Sequence, residues 1–266
     1  MIELVVGAAL VGLWFSLENR WWRKTVTYRH PRVLMYHMVS PHRSGAKFNK
    51  LRVPPKRFEE QIKYLSESGW HFAHVSELAH PLPEKTVVIT FDDGYQDNLT
   101  YADKVLAKYG AKATLYLVVE RFDRDWSTAK KAHHDSGELM REPKLTDAEV
   151  AAMLASQRWE LGAHTLTHAN LPTLNPDDRR REIIQSKHEL EAQFQVEVAS
   201  FAYPFGIYDV TDIRFAQEAG FTFAVTTIEG IDDLGHANPL ELRRVKVSGK
   251  ERLWQFVLRL RTGRRK

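Results

Sequence analysis

Along most of this chain, apolar and β-branched runs of strand length alternate with segments whose apolar residues recur at helical spacing. The strand-like runs are VLMYHMV (33–39), TVVITF (86–91), ATLYLVV (113–119), WELGAH (159–164), ASFAY (199–203), FTFAVTT (221–227) and LRRVKV (242–247). Between them, FEEQIKYLSESG (58–69) sets Phe58, Ile62 and Leu65 on one helical face and stops at Gly69. NLTYADKVLAKYG (98–110) ends likewise at Gly110, and LTDAEVAAMLASQ (145–157) begins at a good N-cap, Thr146. PDDRRREIIQSKHELEAQF (176–194) carries acids in its first turn, where they suit the helix dipole, and DIRFAQEAG (212–220) comes next. Such alternation predicts an α/β fold in which a parallel sheet is covered by helices. Seven strands in 266 residues fit a closed or nearly closed barrel. The rival, a doubly wound open sheet, lacks its Gly-rich phosphate turn after the first strand. No internal repeat or long Gly/Ser linker interrupts the pattern, which predicts one domain over residues 30–266.

The first 24 residues stand apart. Leu4 to Leu17 is apolar except for Ser16, and Trp21, Trp22 and the basic Arg20, Arg23 and Lys24 lie just beyond. A cleaved secretory signal normally has its basic residues before the apolar core, whereas here only Glu3 is charged there. We therefore expect an uncleaved membrane anchor over residues 1–24, with a cleaved signal or a buried helix as alternatives, although the run is short of the ~20 residues that a span needs. If it spans, the positive-inside tendency places the domain on the cytoplasmic side of a bacterial-type inner membrane. A periplasmic domain is the alternative. The other end, LWQFVLRLRTGRRK, mixes apolar residues with Arg259, Arg261, Arg264, Arg265 and Lys266. It suits an anionic lipid surface, or a last helix packed on the domain with a solvated basic tail. No basic stripe interleaved with aromatics marks a nucleic-acid groove, so no nucleic-acid partner is expected.

In a parallel barrel or an open α/β sheet, function gathers at the C-terminal ends of the strands. The residues at the end of each strand run are therefore informative. Tyr36 and His37 come late in the first, Asp92 and Asp93 come directly after TVVITF, His164 ends WELGAH with His168 four residues on, and Tyr203, Pro204, Phe205 and Gly206 end ASFAY. Two imidazoles and a carboxylate form a common ligand set for a divalent metal. With no cysteine in the chain, His, Asp and Glu are the side chains left to bind one. A metal also explains the adjacent acids: one carboxylate is neutralised by the ion, while its neighbour stays available as a base. The bland alternative has the two acids capping the next helix or closing a turn.

TFDDG (90–94), HTLTH (164–168) and FAYPFG (201–206), in that order, resemble the motifs of the polysaccharide deacetylase family, carbohydrate esterase family 4 with its NodB homology domain. VLMYHMVS resembles the branch that holds the poly-N-acetylglucosamine deacetylases. The resemblance covers roughly residues 32–247. It implies a distorted (β/α)7-type barrel and metal-dependent removal of N-acetyl groups from a glycolipid, lipopolysaccharide or polysaccharide. By the same resemblance Asp92 is the general base, while Asp93, His164 and His168 hold the metal, usually zinc, with cobalt, nickel or manganese as alternatives. The Phe205 backbone N–H would help to form the oxyanion hole, and Tyr203, Pro204 and Tyr95 are expected near the substrate. Trp70 and Trp126 offer further surfaces for a sugar ring, or core packing.

Two departures matter. Where the family often carries an arginine that orients the base, this chain has Ala202, as the poly-N-acetylglucosamine branch also does. The late Leu-x-His acid is missing, since no histidine comes after His236, and His236, His37 and Asp92 itself, once protonated, are the candidates for general acid. Arg244 either buttresses the base or is an outward charge on an edge strand. A deformylase or O-acetyl esterase of the same fold, or a non-catalytic glycan-binding relative, are the alternative functions.

Overall fold

A computed structural model describes residues 2–19, 21–126 and 136–264. Arg20, Arg265 and Lys266, counted above among the basic residues of the two ends, lie outside the described residues. Eight parallel strands succeed one another: β1 (Arg32–Tyr36), β2 (His71–Ala73), β3 (Thr86–Asp92), β4 (Ala113–Leu117), β5 (Trp159–Ala163), β6 (Ser200–Ala202), β7 (Phe223–Glu229) and β8 (Leu242–Lys246). The helices are α1 (Ile2–Asn19), α2 (Pro55–Glu67), α3 (Lys104–Lys108), α4 (Asp147–Ala155), α5 (Pro176–Phe194), α6 (Val210–Glu218) and α7 (Leu253–Thr262).

Seven strands close the ring in the order β1-β8-β7-β6-β5-β4-β3, and the β1–β3 pairing completes it. The short β2 shares an edge of β3 with β4: Phe72 lies beside Val87, while Thr114 lies beside Thr90 further along. The seven predicted strands are the seven of the ring. The eighth, HFA, is too short to show a period of two.

Strand alternation separates two cores. Val33, Val88, Tyr116, Ala202, Val225 and Leu242 pack together inside the ring. Leu34, Ile89, Leu115, Leu161, Phe201 and Val245 face outward and meet Phe58 and Ile62 of α2, Ile183 and Leu190 of α5 and Phe256 of α7. The interior is tight. A Cβ on Gly162 would stand 2.5 Å from the Tyr116 ring. All seven residues of β3 are buried, because strands flank it and helices cover it.

The opposite ends of the barrel are built differently. At the N-terminal ends of the strands, the fully buried Arg32 donates to the carbonyls of Val26, Thr27, His30 and Leu260, and so ties residues 26–30 to the end of α7. Trp70 closes this end against Tyr28, with ring centroids 5.5 Å apart, and is therefore core. Among the described residues no helix is long and apolar enough to cross a membrane. The side of the membrane expected above presupposes such a crossing.

Candidate active site

The C-terminal ends of β1, β3, β5, β6, β7 and β8 surround a cleft of about 500 Å³ lined by His37, Asp92, Asp93, His164, His168, Tyr203, Phe205, Thr227 and Lys246. Four non-glycine residues here have a positive φ: Asp93 (79°), Thr165 (65°), His168 (58°) and Phe205 (59°). Such conformations cost about 1–3 kcal/mol each and persist only where surrounding structure enforces them. At this rim they turn consecutive side chains to different jobs, Asp92 toward the barrel interior and Asp93 toward the histidines.

Asp93 Oδ1 lies 3.4 Å from His164 Nε2 and 3.3 Å from His168 Nε2. All three side chains are buried, and Oδ1 makes no hydrogen bond. The Nδ1 of His164 is 2.7 Å from the Ala202 carbonyl, which can only accept, so this nitrogen carries the proton and Nε2 keeps its lone pair. His168 lies between Trp126, stacked at 4.9 Å, and the edge-on Phe205 ring at 4.4 Å. Burial pushes the His168 ring below the usual imidazole pKa, outweighing the pull of Asp93 the other way, and so favours the neutral, ligating form. Burial would raise the Asp93 carboxyl, but the two histidines hold it well below the usual range. An orphaned buried carboxylate oxygen facing two imidazole nitrogens, with one donor atom of each residue within 4.8 Å of the others, fits a divalent cation.

Asp92 is held by Arg244. Nη1 donates to Oδ1 at 2.6 Å and Nη2 to Oδ2 at 2.7 Å, a bidentate fork inside the barrel. The guanidinium is completely buried, and it also donates from Nη1 to Thr90 Oγ1 at 3.0 Å and from Nε to the Thr226 carbonyl at 2.8 Å. Arg244 is therefore inward-facing, and the outward reading falls. Burial alone would raise the Asp92 carboxyl, yet Arg244 brings it below the usual carboxylate value. The arginine missing at Ala202 is thus supplied by β8.

The structure separates the two histidine candidates for the acid. His37 lines the cleft, with Nε2 at 4.0 Å from Asp92 Oδ2. His236 lies on the β7–β8 connection, highly exposed and paired with Asp233 at 2.9 Å. Tyr203 reaches the cleft, but its hydroxyl donates to the Leu240 carbonyl. Pro204 and Tyr95 are buried and do not line the cleft. The Tyr95 ring instead lies under Lys144 Nζ at 4.5 Å.

Several contributors carry no periodic signal. Asn98 donates to the His37 carbonyl at 2.9 Å and fixes the end of β1. It opens a wide helical turn, Asn98–Asp103, of the kind often found beside functional sites. Phe48, Leu51 and Leu139 form apolar walls from distant loops, and Lys50 stands with them. Gly206 was visible only as part of a motif. Here a Cβ would fall 1.9 Å from Thr227 Oγ1, so the close approach of backbone to β7 demands glycine.

The chain matches the family model of polysaccharide deacetylases over residues 79–224. YxkH, a Bacillus subtilis protein named as a polysaccharide deacetylase, is 32% identical over 233 residues, which span 85% of this chain and 75% of that protein. The poly-β-1,6-N-acetyl-D-glucosamine N-deacetylase of Escherichia coli is 32% identical over half of this chain, a match that spans 20% of the E. coli protein. Among solved structures, a polysaccharide deacetylase from Bacillus cereus superposes with a TM-score of 0.73 at 26% identity, covering 87% of this chain and 69% of that one. The chain belongs to the polysaccharide deacetylase family, and the relatives reported above are named as deacetylases, which are hydrolases.

Proposed function

We propose that this member of the family is a divalent-metal-dependent N-deacetylase acting on an N-acetylated amino sugar within a glycan. The observation that carries the reading is that the Asp93–His164–His168 donor set and the Arg244-braced Asp92 share one cleft. Asp93, His164 and His168 would hold the ion, zinc by resemblance. When bound, it supplies Lewis acidity at the acetamide oxygen and at water.

Asp92 accepts a proton from the attacking water, as a base whose orientation the Arg244 fork fixes. The water oxygen bonds to the acetyl carbon, the C–N bond breaks, and acetate and a free amine leave. His37 is placed to give the amine its proton. The Phe205 backbone, at positive φ on the cleft wall, is proposed to face the developing oxyanion. Leu51, Leu139 and Met35 give the acetyl methyl an apolar surface.

Acetate release from N-acetylglucosamine oligomers tests this, with a chelator and then added zinc. Release that the chelator stops and zinc restores supports the reading. Formate from an N-formyl sugar, or acetate from an O-acetyl ester alone, would replace it.

We also propose a membrane attachment through α1. Val6, Leu10, Val11, Leu13, Trp14 and Leu17 are exposed, so the barrel does not cover them. The fourteen positions Leu4 to Leu17, apolar but for Ser16, rise only about 21 Å against a hydrocarbon thickness of ~30 Å, which suits partial insertion. Flotation of the full chain with lipid vesicles tests it.

A further inference from the structure

The barrel has two ends, and α1 is joined to one of them. The segment after α1 is fixed at the N-terminal ends of the strands. The Val26 amide donates to the Arg261 carbonyl at 2.8 Å, Arg261 Nε donates to Thr25 Oγ1 at 3.1 Å, and the Lys85 amide, just before β3, donates to the Tyr28 carbonyl at 2.9 Å. Every strand is parallel, so the cleft lies at the far end.

Chain geometry sets the distances. Six residues, 20–25, join α1 to the fixed segment and reach at most about 20 Å when fully extended. The strands add height: the seven residues of β3 run about 20 Å along the strand, or roughly 16 Å along the barrel axis at a strand tilt of about 36°, from the tethered end to Asp92. The tethered end also carries the right chemistry for a lipid surface. Trp21 and Trp22 are both 52% exposed, and Arg23, Lys24, Arg261 and Arg264 belong to the same end, while Arg29 is neutralised by Glu84 at 3.2 Å.

We infer that the N-terminal end of the barrel docks on an anionic lipid surface and that the catalytic mouth faces away from it. The inference rests on the membrane seat proposed for α1. It deepens the deacetylase reading by naming its substrate class: an acetamido sugar on a glycan chain extended away from the lipid, rather than one at headgroup level.

The absence of native cysteine allows a clean test. A fluorophore is placed on Ser68→Cys, at the turn before β2, or on Ser44→Cys, in the loop above β1. The full-length chain is then mixed with phosphatidylglycerol-containing vesicles whose headgroups carry a nitroxide quencher. Glu67→Cys replaces Ser68→Cys if the latter fails to fold. Quenching at position 68 several-fold stronger than at 44, weakened by salt and by Lys24→Glu with Arg261→Glu, supports the orientation. Equal or stronger quenching at 44 overturns it. No quenching at either position, or no vesicle binding by the full chain, overturns it too. The readout involves no turnover, so a failure here is separate from failure of the deacetylase reading.

Discussion

Replacing Arg244 by Met isolates the ion pair at the centre of the site. The guanidinium is 0% exposed and Asp92 3%, so solvent screens neither partner. Removing one member of such a pair strands a buried charge and costs about 3–5 kcal/mol. At roughly 2–4 °C per kcal/mol for a domain of about this size, the melting temperature should fall by roughly 6–20 °C. Because Arg244 holds the Asp92 carboxyl below its usual value, its contribution is fully present above the unfolded carboxylate pKa of about 3.9. It is lost as pH falls through the lower folded value, so wild type and variant should converge in acid. Urea unfolding monitored by tryptophan fluorescence, at several pH values, measures this. The double variant with Asp92→Asn removes both charges, and its cost should fall short of the two single costs combined by about 2 kcal/mol or more. Arg244→Lys keeps the charge but loses the fork, and should recover stability more than kcat. A loss below about 1 kcal/mol for Arg244→Met, or strictly additive costs, would refute the coupling.

The two adjacent acids should separate in a metal-binding titration. Asp93→Ala, His164→Ala and His168→Ala should lose zinc affinity, whereas Asp92→Asn should keep zinc and lose about 10²–10⁴ in kcat; equal zinc loss in all four would sink the division of roles. His37→Ala should lower kcat while His236→Ala leaves it unchanged, and pH–rate profiles of both would expose an acid elsewhere. Asp97 has its carboxyl pushed up to about 7 by burial, so the folded state binds its proton more tightly than the unfolded chain does. Stability should then decline as pH rises from about 4 to about 7, and Asp97→Asn should flatten that decline in a denaturation series.

How much was legible beforehand depended on whether a feature is local. Seven ring strands, the long helix Pro176–Phe194 with acids in its first turn, and the Thr146 cap were written in periodicity and turn chemistry, since both act within a few residues, whereas the Asn175 cap and the Glu149 half of the capping box emerged with the structure. Asp92, Asp93, His164 and His168 were legible as strand-end residues, because parallel strands bring all their C-terminal ends to one rim. Tertiary structure decided the rest. Arg244 sits 152 positions from Asp92, and its inward direction depends on the register of β8 in a closed ring. The choice of His37 over His236 is likewise a matter of where two loops fall. Tyr95, read near the substrate, is instead buried beneath Lys144. Local pattern alone was enough to say which groups stand at the strand ends. Only the closing of the barrel decided which of them touch, because contacts across a ring depend on strand register and stagger that no local pattern encodes.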